Sequence, residues 1–197
     1  MIAKNQNLKF NNFYLLVLFY LSLIIGFYFG EDLNFGASRD WGGTNHLVIT
    51  QLSLDLKKTL LNYEIYNHRH SPIYLTFLSF FLKIGFSYDL IRFLHLNLSL
   101  LLVYFFYKCL ILKFSSVDKK LLLVLSLSIF LSPTFRSLSI WPDTRIIGLT
   151  FFVLSIYEFL KFQKKPSKKY LIKNFIYLVI SSYISPNFSV FMIYFFY

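Results

Sequence analysis

Apolar runs recur along this chain with a length and frequency that one soluble core would not accommodate. Seven segments, about 12–30, 72–86, 89–107, 121–140, 146–160, 171–185 and 187–197, are dominated by Leu, Ile, Phe and Tyr. A membrane-crossing helix needs about 20 apolar residues, because the hydrocarbon core is ~30 Å thick and a helix rises ~1.5 Å per residue. Of the 197 residues 56% are hydrophobic, including 25 Phe and 15 Tyr. Soluble domains average roughly 45–50%. The expected fold is therefore all-α: one polytopic transmembrane domain over residues 1–197, in contact with membrane lipids.

The charge pattern agrees. Twenty Lys+Arg face nine Asp+Glu, for a net charge of +11. A soluble protein with that balance would read as a nucleic-acid binder. Here the basic residues fall in short blocks between apolar runs, as cytoplasmic loops do, and no nucleic-acid partner is expected. Cys109 is the sole cysteine, so neither an internal disulfide framework nor a cysteine-based zinc site is available. The run 12–30 is longer than the apolar stretch of a signal peptide (about 7–15 residues), and Tyr28-Phe29-Gly30-Glu31 is a poor cleavage site. It reads as an uncleaved first span.

Loop charge sets the expected topology. Lys108, Lys113, Lys119 and Lys120 form one basic block; Lys161, Lys164, Lys165, Lys168, Lys169 and Lys173 form another. If segment 72–86 lies in the interface or re-enters, both blocks share the cytoplasmic face with Lys4 and Lys9, as the positive-inside rule prefers. Spans are then expected at 12–30, 89–107, 121–140, 146–160 and 171–185, with 187–197 beginning a further one and an outer loop over 31–88. Cys109 would sit at the cytoplasmic end of the second span and report topology to thiol reagents.

Within the outer loop, Ile49, Leu52, Leu56, Leu60 and Tyr63 step by three and four. This stripe predicts an amphipathic helix over 46–63 lying in the membrane interface, capped by Thr44 or Asn45.

The two outer loops are rich in groups that can do chemistry. The first holds Glu31, Asp32, Arg39, Asp40, His46, His68, Arg69 and His70; the second, "SPTFRSLSIWPDTR" (132–145), adds Arg136, Asp143 and Arg145. Together they set carboxylates and cations on one membrane face, as a site for a lipid-borne anion requires. Each has a plainer alternative. Glu31 and Asp32 are solvated loop charges or site acids. Asp40 is a turn-former beside Gly42-Gly43 or a catalytic acid. Arg69 snorkels or contacts phosphate. Asp143 starts the following helix or joins the site. His46, His68 and His70 make a weak metal set, because an i,i+2 pair in a loop is not held in place. Glycine-rich phosphate loops, nucleophile elbows and His-Glu-x-x-His runs are absent. Arg92 and Glu158 lie near span ends, so no acidic or basic residue stands at mid-depth, where proton-coupled transporters usually place one.

Taken in order, a first span, a long outer loop with an early Asp, "HSPIY" (70–74) opening an apolar stretch, and lysine-bounded spans resemble the GT-C superfamily of membrane glycosyltransferases. That superfamily includes the protein O-mannosyltransferases and the bacterial aminoarabinose transferases. Many bacterial members carry His-Pro-Pro-Leu-Tyr at the place of "HSPIY". The segment "WPDTRIIGLTFFVLSIYEFLKF" (141–162) is similar to the family's later outer loop and following span. The resemblance covers roughly residues 10–165.

The resemblance implies amphipathic juxtamembrane helices in the first outer loop, a catalytic acid there, and a site on the non-cytoplasmic face of a membrane such as the bacterial inner membrane. The substrates would be a polyprenyl-phosphate-linked sugar and a glycan, lipid or protein acceptor. Asp40, or else Asp32, would be the general base. Arg69 with His70, then Arg136 and Arg145, would balance the lipid phosphate. A divalent ion, Mg²⁺ or Mn²⁺, would suit Asp143 together with Asp40. Two other readings fit the same residues. One is a multi-span transporter or lipid-carrier flippase subunit. The other is an inactive fragment or accessory membrane subunit, suggested by the ending "FMIYFFY" in a chain shorter than most of the family.

Overall fold

The structure is a computed structural model that describes residues 12–33, 36–68 and 71–195. Among the described residues it is all-helical. In chain order the helices are α1 (Asn12–Tyr28), α2 (Ala37–Asp40), α3 (His46–Leu54), α4 (Leu56–Leu61), α5 (Ile73–Lys83), α6 (Tyr88–Lys113), α7 (Lys119–Leu127), α8 (Pro133–Ile140), α9 (Thr144–Lys164) and α10 (Lys168–Ile184). A π turn (Trp41–Asn45) joins α2 to α3, and 3-10 turns cover Tyr63–Tyr66, Ser128–Leu131 and Pro186–Phe195.

Local chemistry explains where the helices stop. After α1, Gly30 takes φ 65°, and Glu31 N–H donates to Gly26 O while Gly30 N–H donates to Phe27 O. This is a Schellman ending, which glycine adopts without a Cβ clash. Gly85 (φ 97°) ends α5 in the same way, with Phe86 packed on Phe81 at 5.3 Å. That stop limits α5 to 11 residues, about 16 Å, too short to cross a bilayer core by itself.

Among the described residues two helices, α6 with 26 residues and α9 with 21, are long and apolar enough to cross a membrane, or three if α7 and α8 count as one broken span. The expected span 121–140 is bent by 70°. Pro133 cannot donate a backbone hydrogen bond to continue the helix, and Ser132 caps the new one through Phe135 N–H (3.3 Å). The expected helix over 187–197 is a 3-10 stretch as far as Phe195. The amphipathic helix over 46–63 is broken at Asp55, whose extended backbone and side chain start α4. Ile49 and Leu52 are buried before the break, and Leu56 and Leu60 are exposed after it. Neither Thr44 nor Asn45 caps α3, because α2, the π turn and α3 run on as one rod. For the same reason Asp40 lies on a helix rather than in a glycine turn.

The core runs through Leu23, Val48, Ile49, Leu78, Ile91, Leu96 and Leu127, with α9 packed along α6 and α10 and α3 on α5. In hydrocarbon, which supplies little hydrophobic drive between helices, close packing and interhelical hydrogen bonds would have to hold them. Gly148 permits such an approach. A Cβ there would stand 2.8 Å from Ser185 Cβ, and Ser181 Oγ donates to Gly148 O at 2.7 Å. Further along, Asn174 Nδ2 donates to Ser155 O at 2.8 Å. Outward faces are apolar: Leu18 and Ile25 on α1, Leu121 and Val124 on α7, Ile172 and Val179 on α10. Lipid would cover such surfaces without cost, whereas water would not.

Cys109 is not the topology reporter expected. Helix α6 continues past it to Lys113, and the thiol is buried, with Sγ donating to Val153 O at 3.6 Å.

Candidate functional site

At the end of the bundle where α9 begins, four stretches of chain meet around a cavity of about 390 Å³. Its walls include Asp40, Thr44 and Asn45 from the rod, Asn67 and His68, Asp143, Thr144 and Arg145 at the start of α9, and Pro186 with Asn187 after α10. The rod widens into a π turn just after Asp40, a local feature frequent at functional sites.

Asp143 is the N-cap of α9 and accepts Arg145 N–H at 2.7 Å. The Arg145 side chain then folds back on the same carboxylate: Nε to Oδ1 at 2.9 Å and Nη2 to Oδ2 at 2.7 Å. Such bidentate pairs fix the guanidinium plane. From that position Nη2 reaches Asp40 Oδ2 at 3.6 Å. The two carboxylates differ in setting. The Asp143 side chain is 5% exposed and grips Arg145, whereas the Asp40 side chain is 56% exposed. Asp143 can orient the arginine; Asp40 can meet a ligand.

Asn45 ties the rod to both loops. Its amide donates to Pro142 O (3.3 Å), so its Oδ1 is free to accept from His68 Nε2 (2.5 Å). That arrangement puts a proton on His68 Nε2. Amides and hydroxyls of Thr44, Asn45, Asn67, Thr144 and Asn187 thus surround the acid–arginine pair. Uncharged groups of this kind suit a ligand rich in hydroxyls.

The remaining candidates lie elsewhere. Asp32 does not line this cavity; its Oδ2 accepts Ser38 N–H (2.9 Å) and Ser38 Oγ–H (2.5 Å) at the start of α2. Arg136 is not available to a phosphate. It forms a bidentate pair with Glu31, at 2.6 Å from Nε and 2.5 Å from Nη2, and donates to Ser22 Oγ (2.9 Å) and Ser22 O (3.1 Å). Trp141 Nε1 donates to Glu31 O (3.0 Å), and Arg92 stacks on Trp141 at 3.7 Å. Arg69 and His70 lie outside the described residues. The metal reading does not fit this arrangement. Among the described residues no three His, Cys, Asp or Glu side chains group together, and Arg145 already bonds both Asp143 oxygens.

Below the cavity, Tyr74 of the "HSPIY" motif bonds to His95 Nδ1. His95 Nε2 donates to Leu138 O at 2.8 Å, so Nδ1 must be the acceptor and Tyr74 the donor. Burial pushes the Tyr74 phenol well above its ordinary range, and the Asp143 charge adds to that. The sequence did carry a signal for His95. Tyr88, Arg92, His95 and Ser99 fall on one face of a 3.6-residue helix inside an apolar run. Glu31 and Asn45 had no such signal, since Arg136 and Pro142, which they bond, are 105 and 97 residues away.

No family model matches this chain, and neither the curated proteins nor the solved structures contain a match.

Proposed function

We propose that the chain is a multi-pass membrane glycosyltransferase that moves a sugar from a polyprenyl-phosphate carrier to an acceptor hydroxyl. The observation that carries this reading is the Asp40–Arg145–Asp143 arrangement in a polar cavity at one end of an apolar bundle. Asp40, exposed to the cavity, takes the proton of the acceptor hydroxyl as its oxygen attacks the anomeric carbon. The bond from that carbon to the phosphate oxygen breaks, and its electron pair leaves on the lipid phosphate. Arg145, held in place by Asp143, faces the developing charge. Two carboxylates and one guanidinium leave the resting cluster at net −1, so the departing phosphate needs more cation. The chain supplies Arg69 and His70 directly after His68, a wall residue.

The same helix supports an orientation. The cavity and the second lysine block stand at opposite ends of α9, from Arg145 to Lys161, about 24 Å apart. If lysines at that end face the cytoplasm, as the positive-inside rule prefers, the cavity opens on the opposite face, where a bacterial inner-membrane enzyme would meet exported carriers. The test uses protein in liposomes with a panel of polyprenyl-phosphate-linked hexoses and pentoses and a panel of hydroxyl-bearing glycan, lipid and peptide acceptors, measuring release of the polyprenyl phosphate. Wild type should consume one donor, and Asp40→Asn should not. Consumption that survives Asp40→Asn, or no consumption of any donor, rejects the reading.

A further inference from the structure

A second cavity, about 530 Å³, lies at the opposite end of the bundle, between α1, α6 and α7. Its walls are almost wholly apolar, with Val17, Tyr20, Leu100 and Leu127 among them. Ser126 also lines it, but its hydroxyl donates to Leu123 O at 2.7 Å, so it offers little to a polar ligand. Among the described residues, one charged side chain borders the groove: Lys108. Arg92, Arg136, Arg145 and Lys161 each have a carboxylate partner. Lys108 has none among the described residues; its ammonium lies 5.3 Å from the Tyr104 ring. Lys120 joins it at the same end, since positions 120, 123 and 127 share a face of α7 and Leu123 and Leu127 line the groove.

We infer that this groove is a binding site for one anionic diacyl phospholipid of the lysine-side leaflet, an acyl chain between α1, α6 and α7 and the phosphate on Lys108 and Lys120. The dimensions fit. From Leu100 to Lys108 the groove follows α6 for about 12 Å, less than half of the ~30 Å hydrocarbon thickness, so it takes a chain from one leaflet only. An apolar crevice of this size left empty would forfeit dispersion contacts along its whole wall. Its unpaired lysines stand where basic pockets between membrane helices hold anionic headgroups. This inference rests on the bundle lying in a bilayer, not on glycosyl transfer, and its site is at the other end of the molecule from Asp40.

The test is native mass spectrometry of the intact chain released from mixed micelles holding equal amounts of palmitoyl-oleoyl phosphatidylglycerol and the matching phosphatidylcholine. Wild type should retain one phosphatidylglycerol in preference to phosphatidylcholine. Lys108→Ala should weaken that preference about fivefold, and Lys108→Ala with Lys120→Ala should abolish it. Leu127→Phe, which fills the groove, should lose the bound lipid altogether. Because that variant can also misfold, wild-type protein is labelled in parallel with phosphatidylglycerol bearing a photoreactive acyl chain. Cross-links should fall on α6 and α7 within the groove. Equal retention of the two lipids, an unchanged preference in both lysine variants, cross-links outside the groove, or displacement of phosphatidylglycerol by a polyprenyl phosphate would each overturn the inference.

Discussion

Two carboxylate–guanidinium pairs join the stretch after α1 to the region around α8 and the start of α9, and they differ in burial. Glu31 and Arg136 are 18% and 15% exposed, and the pair is closed on itself, with Ser22 and Trp141 completing the shell. Asp40 and Arg145 are 56% and 41% exposed, stand 3.6 Å apart, and open onto a cavity. The chemistry of the pairs is the same, but their surroundings are not. A buried, fully bonded pair locks two segments together. A pair with one exposed, loosely held carboxylate leaves an acid that can exchange its partner for a ligand.

That contrast can be broken from either side. The largest effect should come from Arg136→Ala, which strands Glu31 without its cation. Such losses cost about 3–5 kcal/mol, and thermal unfolding in detergent should show it. Next, Asp40→Asn should leave the unfolding midpoint unchanged while lowering sugar transfer by about 100-fold or more. If Asp40→Asn unfolds the protein as Arg136→Ala does, the two pairs are not different in kind. Gly26→Ala comes third. Its Cβ would stand 2.3 Å from Glu31 Oε2, and overpacking of this sort costs about 1–3 kcal/mol. It should destabilise the closed pair without touching the cavity. Tyr74→Phe should cost about 1 kcal/mol, since it leaves buried His95 Nδ1 without its donor. The smallest is Arg145→Lys. Stability should hold to within about 0.5 kcal/mol, with transfer reduced about tenfold, because lysine cannot keep the two-point grip on Asp143.

Much of the fold was legible in the chain. The apolar runs predicted helices at α1, α5, α6, α9 and α10. The Asp143-Thr144-Arg145 start of α9 could be read as a cap, and it is one. Three features were not legible. The rod through Asp40 looked like a glycine turn, because nothing local reveals a π turn that absorbs Gly42 and Gly43. The break at Asp55 was hidden under an unbroken three-and-four spacing. Arg136 and Arg145 looked equivalent, as two arginines of one loop, until Glu31 and Asp143 were seen to claim them.

By itself the sequence determined that the chain is helical, that α6 and α9 are long and apolar enough to cross a membrane, and that acids and cations gather between particular runs. These are local properties, set by side-chain polarity, periodicity and capping within a few residues. Which charge pairs with which was decided only by tertiary structure, since contacts between residues 40 and 145, or 31 and 136, depend on how α1, the rod, α8 and α9 pack. Packing buried one ion pair and left the other open, and so placed Asp40, rather than Asp32, in the cavity.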